Sequence, residues 1–530
     1  MSTRLHPADA KRLVHGPGEI AILDVREHGQ YGEGHPLLAT SAPYSRLEAV
    51  VPVLVPNRFV QLLLLDDGDG VAERAAARLE ELGYIHVSTV EGGAPAWAAA
   101  GFALYKGVNV PSKTLGELVE MVWHPKMIDA RTLRAWQEEG RPHVLFDTRP
   151  PSEYRKMTVP GARSGPNGEL LHRMSSAVAD RDAPIVLTCA GRTRGLVGAI
   201  GLRAAGVPNP VYALENGTQG WALAGFDLAR GCNPDPLPDL ETEGAAESRA
   251  RADRIRESTA IPFIDSKTFE DLARDTSRTL SLLDVRSAEE YAQGHLPGAL
   301  HAPCVQIVQA TDEWVGVRRS RLVLTDDTGL RAVLAAFWLR QLGYEVYVLR
   351  RDDAVDLDES WLRMRPLPHP GARGALRSVS PEQAAASVEE GRAVLIDLRP
   401  SVAYRQSHPE GALWSIRPRL EQAVLPRKAV LLIATDAMTA QLAAVDLAAI
   451  GMADVGIVEG GIEGWRDAGL PLVASPEQPP DEEAIDFLFF VHDRHDGNLE
   501  AARRYLEWET GLVRQLDSDE RAEFKLAEPF

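Results

Sequence analysis

Short apolar runs alternate with stretches of helical periodicity along the whole chain. Pro184 to Thr188 is one such run, apolar and β-branched, and it reads as a buried parallel strand that stops at Cys189. A small-residue helix is predicted from about Arg194 to Ala205, closed by Gly206 at its C-terminal cap. The same strand, loop and helix recur three more times, the strand ending at Asp66, Asp326 and Ala434. From each of these four positions to a helix-ending glycine (Gly83, Gly206, Gly343, Gly451) the step is 17 residues.

An earlier strand in each copy ends in Asp-x-Arg: Asp24 and Arg26, Asp147 and Arg149, Asp284 and Arg286, Asp397 and Arg399. A tyrosine stands five residues after each arginine (Tyr31, Tyr154, Tyr291, Tyr404), and Gly-Ala pairs follow in three copies, with Leu38-Ala39 in the first. The step from the aspartate to the end of the next strand is 42 residues in three copies and 37 in the fourth. A last strand leads to Glu-Gly-Gly or Glu-Asn-Gly and then Trp97, Trp221 or Trp465, whereas the third copy carries Arg350-Arg-Asp-Asp353 there. One unit is therefore written four times. Strands alternating with helices make each unit an α/β domain with a parallel sheet flanked by helices, and ligands bind at the strand-end loops of such sheets.

The spacing places a first domain at 1–108, a second at 109–232, a linker at 233–259, a third domain at 260–370 and a fourth at 376–474. The linker opens Pro- and acid-rich, and Glu247 to Glu257 is charged and helical in pattern. A C-terminal helical tail is expected over 475–530, since Ala502, Tyr505, Leu506, Leu512, Val513 and Leu516 recur at helical spacing. That face is expected to pack on one of the domains or on a second subunit, which leaves a homodimer open.

Composition narrows the function. Lysines and arginines number 57 against 76 aspartates and glutamates, and a net charge of −19 disfavours nucleic acid or an anionic membrane as partner. No apolar run approaches the roughly 20 residues of a membrane span. No charged-then-apolar leader opens the chain, so no signal peptide is expected. Three cysteines make no disulfide framework and suit a reducing compartment, so a cytoplasmic location is expected.

The chemistry concentrates at Cys189. It stands at a strand end, and its loop Ala190-Gly191-Arg192-Thr193-Arg194-Gly195 runs into a helix N-terminus. Inward amide hydrogens, the helix dipole and two guanidinium groups all favour thiolate, so its pKa is expected to fall below the ~8.5 of a free cysteine. Asp66 and Asp326 put a carboxylate where the thiol would be, and Ala434 has no heteroatom, so one site in four is expected to be active. Asp147 and Arg149 lie on one strand-end face, read as support around the site: a carboxylate capping nearby N–H groups and an arginine tying the strand to the next loop. Trp97, Trp221 and Trp465 read as core aromatics. Cys232 is a candidate relay thiol, set against the plainer reading of a bystander. Cys304 reads as buried packing with His301 no metal ligand, and His492 and His495 as solvated surface.

These motifs resemble the rhodanese family of sulfurtransferases, over about 100 residues in each copy and nearly all of the chain. The second copy matches best, with its Asp-x-Arg strand end, Val159-Pro-Gly-Ala162, the cysteine loop and Asn216-Gly-Thr-Gln-Gly-Trp221. The resemblance implies four tandem rhodanese-like domains, sulfur transfer through a Cys189 persulfide, and no metal or organic cofactor. Its partners would be a small-molecule sulfur donor, thiosulfate or a related persulfide, and a thiol or cyanide acceptor. Arg192 and Arg194 would orient the donor, and Thr193 would donate a hydrogen bond. Cysteine phosphatases have a similar loop with an arginine six residues after the cysteine; here that residue is Gly195, which disfavours a phosphatase or arsenate reductase. A scaffold whose Cys189 senses persulfide is the other alternative. The three copies without a thiol are expected to scaffold, one pairing with two and three with four. Val108 to Pro111 and Asn167-Gly168 are then candidate walls of the Cys189 pocket.

Overall fold

In the computed structural model, residues 3–350, 376–424, 428–492 and 498–528 are described, without the side chains of 491 and 492. Arg351 to Asp353, His495 and the side chain of His492 lie outside this set.

Each copy builds one sheet with the same strand order. In the second copy Met127–Ile128, Val144–Asp147, Arg163–Ser164, Ile185–Thr188 and Val211–Leu214 are arranged, by their order in the chain, as 1-5-4-2-3, every pair parallel. The third and fourth copies repeat this order in parallel strands, and the first copy shows it too. The fourth strand is flanked on both sides. Its apolar run is buried at all four positions, and it delivers Cys189 between the ends of strands two and five.

The repeated motifs explain themselves as buried polar closures. Each Asp-x-Arg pair folds on itself: Arg149 donates from its backbone N–H (3.1 Å) and Nε (2.9 Å) to Asp147 Oδ1, and from a terminal nitrogen to Oδ2 (2.7 Å). The same guanidinium reaches the Met157 carbonyl, and the arginines of the other copies reach those of Gly34, Gly294 and Ser407. A buried carboxylate is tolerated because every lone pair finds a donor. The tyrosine hydroxyls donate to the carbonyl eight residues on, Ala39, Ala162, Ala299 or Ala412. Trp97, Trp221 and Trp465 lie in the core, each donating its indole N–H to a carbonyl six residues on.

The copies do not group as their order suggests. The chain divides into two units, one of 1–13, 21–107 and 366–491, the other of 14–20, 108–365 and 492–530. Copy one thus groups with copy four and copy two with copy three, which corrects the expected pairing of sequence neighbours. In the first unit Arg417 of copy four reaches both oxygens of Glu48 in copy one, and Arg78 bonds Asp446 at 3.0 Å. In the second unit the glycines of the Thr193–Ala204 helix let copy three approach. A Cβ on Gly201 would meet Leu334 at 2.9 Å. Small and apolar helix faces are alike in all four copies, so periodicity alone does not rank their partners.

Helices build both the linker and the tail. The 233–259 linker holds an 18-residue helix, Thr242–Thr259, with Ala252 and Ile255 fully buried. The stretch expected as one tail is divided: residues up to 491 belong with the first unit, where the Ile485 carbonyl accepts the Gly29 N–H at 2.8 Å. The helix Leu499–Gln515 belongs with the second unit and packs on the helices Val110–Trp123 and Gly217–Leu223 of copy two. No helix among the described residues is long and apolar enough to cross a membrane.

Candidate active site

Cys189 follows the central strand of copy two, and the loop from Ala190 enters the helix Thr193–Ala204. The Gly195 N–H points at its sulfur, and a Cβ on Gly195 would lie 3.7 Å from Sγ. The loop's own carbonyls are claimed from the other side. Thr218 N–H donates to the Cys189 carbonyl at 2.8 Å and Gln219 N–H to that of Ala190 at 3.2 Å. Gly217 makes this approach possible: its φ is +53°, and a Cβ there would be 2.2 Å from the Cys189 oxygen.

The degenerate loops keep the cradle and fill it. Asp66 accepts amide hydrogens from Gly68, Gly70 and Ala72 at 2.9, 3.1 and 3.0 Å. Asp326 accepts from Gly329 at 2.6 Å and Arg331 at 3.1 Å. A carboxylate occupies the position of the thiol in both, held by backbone N–H groups as a bound anion would be. The Ala434 loop has no such acceptor; there Asp436 caps the following helix by accepting from Thr439 N–H at 2.8 Å.

Around Cys189 the arginines are already partnered. Arg192 donates to Glu117 at 2.6 Å, to Glu120 and to Asn216 at 3.0 Å. Arg194 grips Glu153 through two bonds of 2.6 and 2.8 Å and reaches Gln306 of copy three. Thr193 donates its hydroxyl to Glu509 Oε1 at 3.2 Å. Three carboxylates therefore pair with two guanidinium groups and a fourth, Glu509, stands beside the loop, so the loop is not the surplus of positive charge expected from its sequence.

The sulfur is covered, with Cys189 only 3% exposed. Burial pushes its thiol above the ordinary value; the Arg194 charge and the Gly195 N–H oppose this, and Glu509 adds to it. The expected fall in its pKa is thus corrected. Desolvation of a thiolate outweighs one amide and a cation that a carboxylate already neutralises.

Val108 to Pro111 leads into the helix Val110–Trp123, whose Glu117 and Glu120 hold Arg192. Asn167 donates to the Arg194 carbonyl at 2.8 Å, and Gly168 leaves room for Cys304 of copy three. Burial pushes the Cys304 thiol strongly upward, which suits packing. Cys232 is half-buried, and all three cysteines are unpaired.

Sequence reading missed Glu153, Glu117, Glu120 and Glu509, and named Tyr505 only as part of the packing face of the tail helix. The first four-residue offset after Arg149 could have flagged Glu153, but nothing in the spacing ties residue 509 to residue 193. Among the described residues His172, Glu290 and Asp327 have ligand atoms within 4.8 Å of one another. The Arg331 guanidinium stands between them, donating to both carboxylates at 2.6 and 2.7 Å, so a cation is already in place.

Comparison with known proteins agrees with this architecture. The rhodanese-like domain family matches residues 6–100, 129–224, 267–352 and 380–468. A crystal structure of a thiosulfate sulfurtransferase from Pseudomonas aeruginosa superposes with a TM-score of 0.89 at 34% identity, covering 99% of this chain and all of that one. A curated thiosulfate sulfurtransferase of Pseudomonas aeruginosa is 27% identical over 180 residues, 30% of this chain and 65% of that protein. YrkF of Bacillus subtilis, named as a candidate sulfur carrier protein, is 27% identical over 88 residues, 17% of this chain and 46% of its own length. The chain thus spans less than two thirds of these two curated relatives. Four matched domains in tandem, each with the same strand order, mean that this chain belongs to the rhodanese family.

Proposed function

We propose that the chain is a sulfurtransferase that carries sulfane sulfur on Cys189 as a persulfide, taking it from thiosulfate or a related persulfide donor. The observation that carries this reading is the cradle: the loop amide aimed at Cys189 Sγ has counterparts that bind the carboxylates of Asp66 and Asp326. The cradle accepts an anion, and only copy two offers it a nucleophile.

In the first half-reaction the Cys189 thiolate attacks the outer sulfur of thiosulfate. The S–S bond of the donor breaks, and sulfite leaves with the electron pair. The persulfide anion then lies against the Gly195 N–H. In the second, an acceptor thiolate or cyanide attacks the terminal sulfur, and the Cys189 thiolate is released. Two such steps give ping-pong kinetics. Asp147 and Arg149 hold the strand end that presents the loop. Asp66, Asp326 and Ala434 leave the other three copies without a nucleophile. Three unpaired cysteines suit a reducing compartment, the cytoplasm.

A second reading, a sulfur sensor that loads once and turns over slowly, draws on the burial of Cys189, whose loop the Leu499–Gln515 helix packs against at Gly191 and Thr193. One experiment separates the cases. Wild type and Cys189→Ala are incubated with thiosulfate, mercaptopyruvate or glutathione persulfide, followed by intact mass and by product release over many turnovers. We expect one added sulfur on wild type and none on the variant, with sustained release. Release limited to one equivalent supports the sensor, and no added sulfur from any donor overturns both.

A further inference from the structure

The tail helix Leu499–Gln515 brings a carboxylate to the cysteine loop. Glu509 is 2% exposed. Its Oε1 accepts the Thr193 hydroxyl, while Oε2 has no hydrogen-bond partner among the described residues. That second oxygen lies against the loop backbone, 2.9 Å from where a Cβ on Gly191 would stand, and the Tyr505 ring is 3.7 Å from that same position. Gly191 is therefore the residue that lets the helix come this close. A buried carboxylate oxygen with no donor costs stability, so its presence calls for an explanation.

The surrounding charges do not cancel it. Glu117, on the helix facing Glu509, is itself pushed up to about 7 by burial, with Glu509 among the contributing charges, and it holds Arg192. Lys113, on the same helix, turns its ammonium to the Val108 carbonyl and over the Trp508 ring, 5.1 Å from its centroid. Arg194 is held by Glu153.

We infer that Glu509 is a specificity-determining residue of the Cys189 site that ranks the donors of the proposed reaction, slowing a doubly charged one such as thiosulfate relative to one that brings little charge to the thiol. The inference rests on the sulfur-transfer reading of Cys189 and deepens it. A dianion approaching the sulfur meets a fixed negative charge in a site where water screens little, whereas an alkyl persulfide presents at most one charge there. The helix thus ranks the donors by charge as well as covering the loop.

The test uses the full chain and two alkylating reagents of nearly the same size, neutral iodoacetamide and anionic iodoacetate, read at the Cys189 peptide. In Glu509→Gln the iodoacetate rate should rise on the order of tenfold more than the iodoacetamide rate, the effect of one charge across a partly screened site. Glu509→Asp, which keeps the charge, should retain the wild-type ratio of the two rates. Sulfur loading from thiosulfate should rise in Glu509→Gln relative to loading from glutathione persulfide. Equal acceleration of both reagents in Glu509→Gln, or a Glu509→Asp that behaves like it, would mean that the helix only covers the loop and would overturn the inference. Alkylation needs no sulfur chemistry, so a chain that takes sulfur from no donor overturns the reading of Cys189 instead, and the two failures are told apart.

Discussion

Asp66 accepts the amide hydrogen of Ala72, six residues on, at 3.0 Å. Cys189 faces the amide of Gly195, also six residues on, so one loop geometry serves a carboxylate in one copy and a thiol in another. The aspartate copy records what the cradle binds. Its carboxylate takes three backbone N–H groups.

Removing that carboxylate should therefore unsettle the first copy. Asp66→Ala strips three amides of their acceptor, the one of Ala72 buried and those of Gly68 and Gly70 partly so, and we expect a loss of about 1–2 kcal/mol in the unfolding transition that includes this copy. Asp66→Asn keeps one acceptor oxygen and should lose less. Denaturant titration of the three proteins checks this, and an Asp66→Ala curve that overlies wild type refutes it.

Arg194 supplies the leading opposition to the upward push on the Cys189 thiol, and it is also held by Glu153. Arg194→Ala should slow sulfur loading at pH 7 by about 10–100-fold, with part of the loss recovered at higher pH as the thiol ionises. Arg194→Lys keeps the charge without the forked grip on Glu153 and should fall between. A pH–rate profile of loading that is the same in wild type and Arg194→Ala would refute the assignment.

His172 gives the clearest acid limb. It is buried, its Nδ1 lies 3.0 Å from the Ser248 hydroxyl, and burial together with Arg331 lowers its pKa to about 3. Below the unfolded value of about 6.5 the unfolded chain binds a proton that the folded chain refuses, so stability falls as pH drops from there toward 3. His172→Gln should flatten this fall in melting temperature between pH 7 and pH 4, and an equally steep fall in the variant would count against it.

How much of this was legible beforehand differs from element to element. The Asp-x-Arg pairs, the tyrosines five residues on and the three tryptophans all close hydrogen bonds within eight residues, so their fixed spacing carries their structure. The cysteine loop is equally local. Its charge balance is not: Glu117 and Glu120 come from a helix some seventy positions earlier, and Glu509 from one more than three hundred positions later. Arg192 and Arg194 look like free cations in the chain and are ion-paired in the fold.

The sequence by itself determined the repeat, the strand order's building blocks, the one thiol among four loops and the amides that would hold an anion there. These follow from periodicity and short-range hydrogen bonding, which a linear chain displays directly. Only the tertiary structure decided that copy two groups with copy three, that a tail helix packs against the Cys189 loop, and that burial raises its thiol where the loop alone would lower it. Those depend on which apolar faces meet and on how far water is excluded when they do, and spacing along a chain encodes neither.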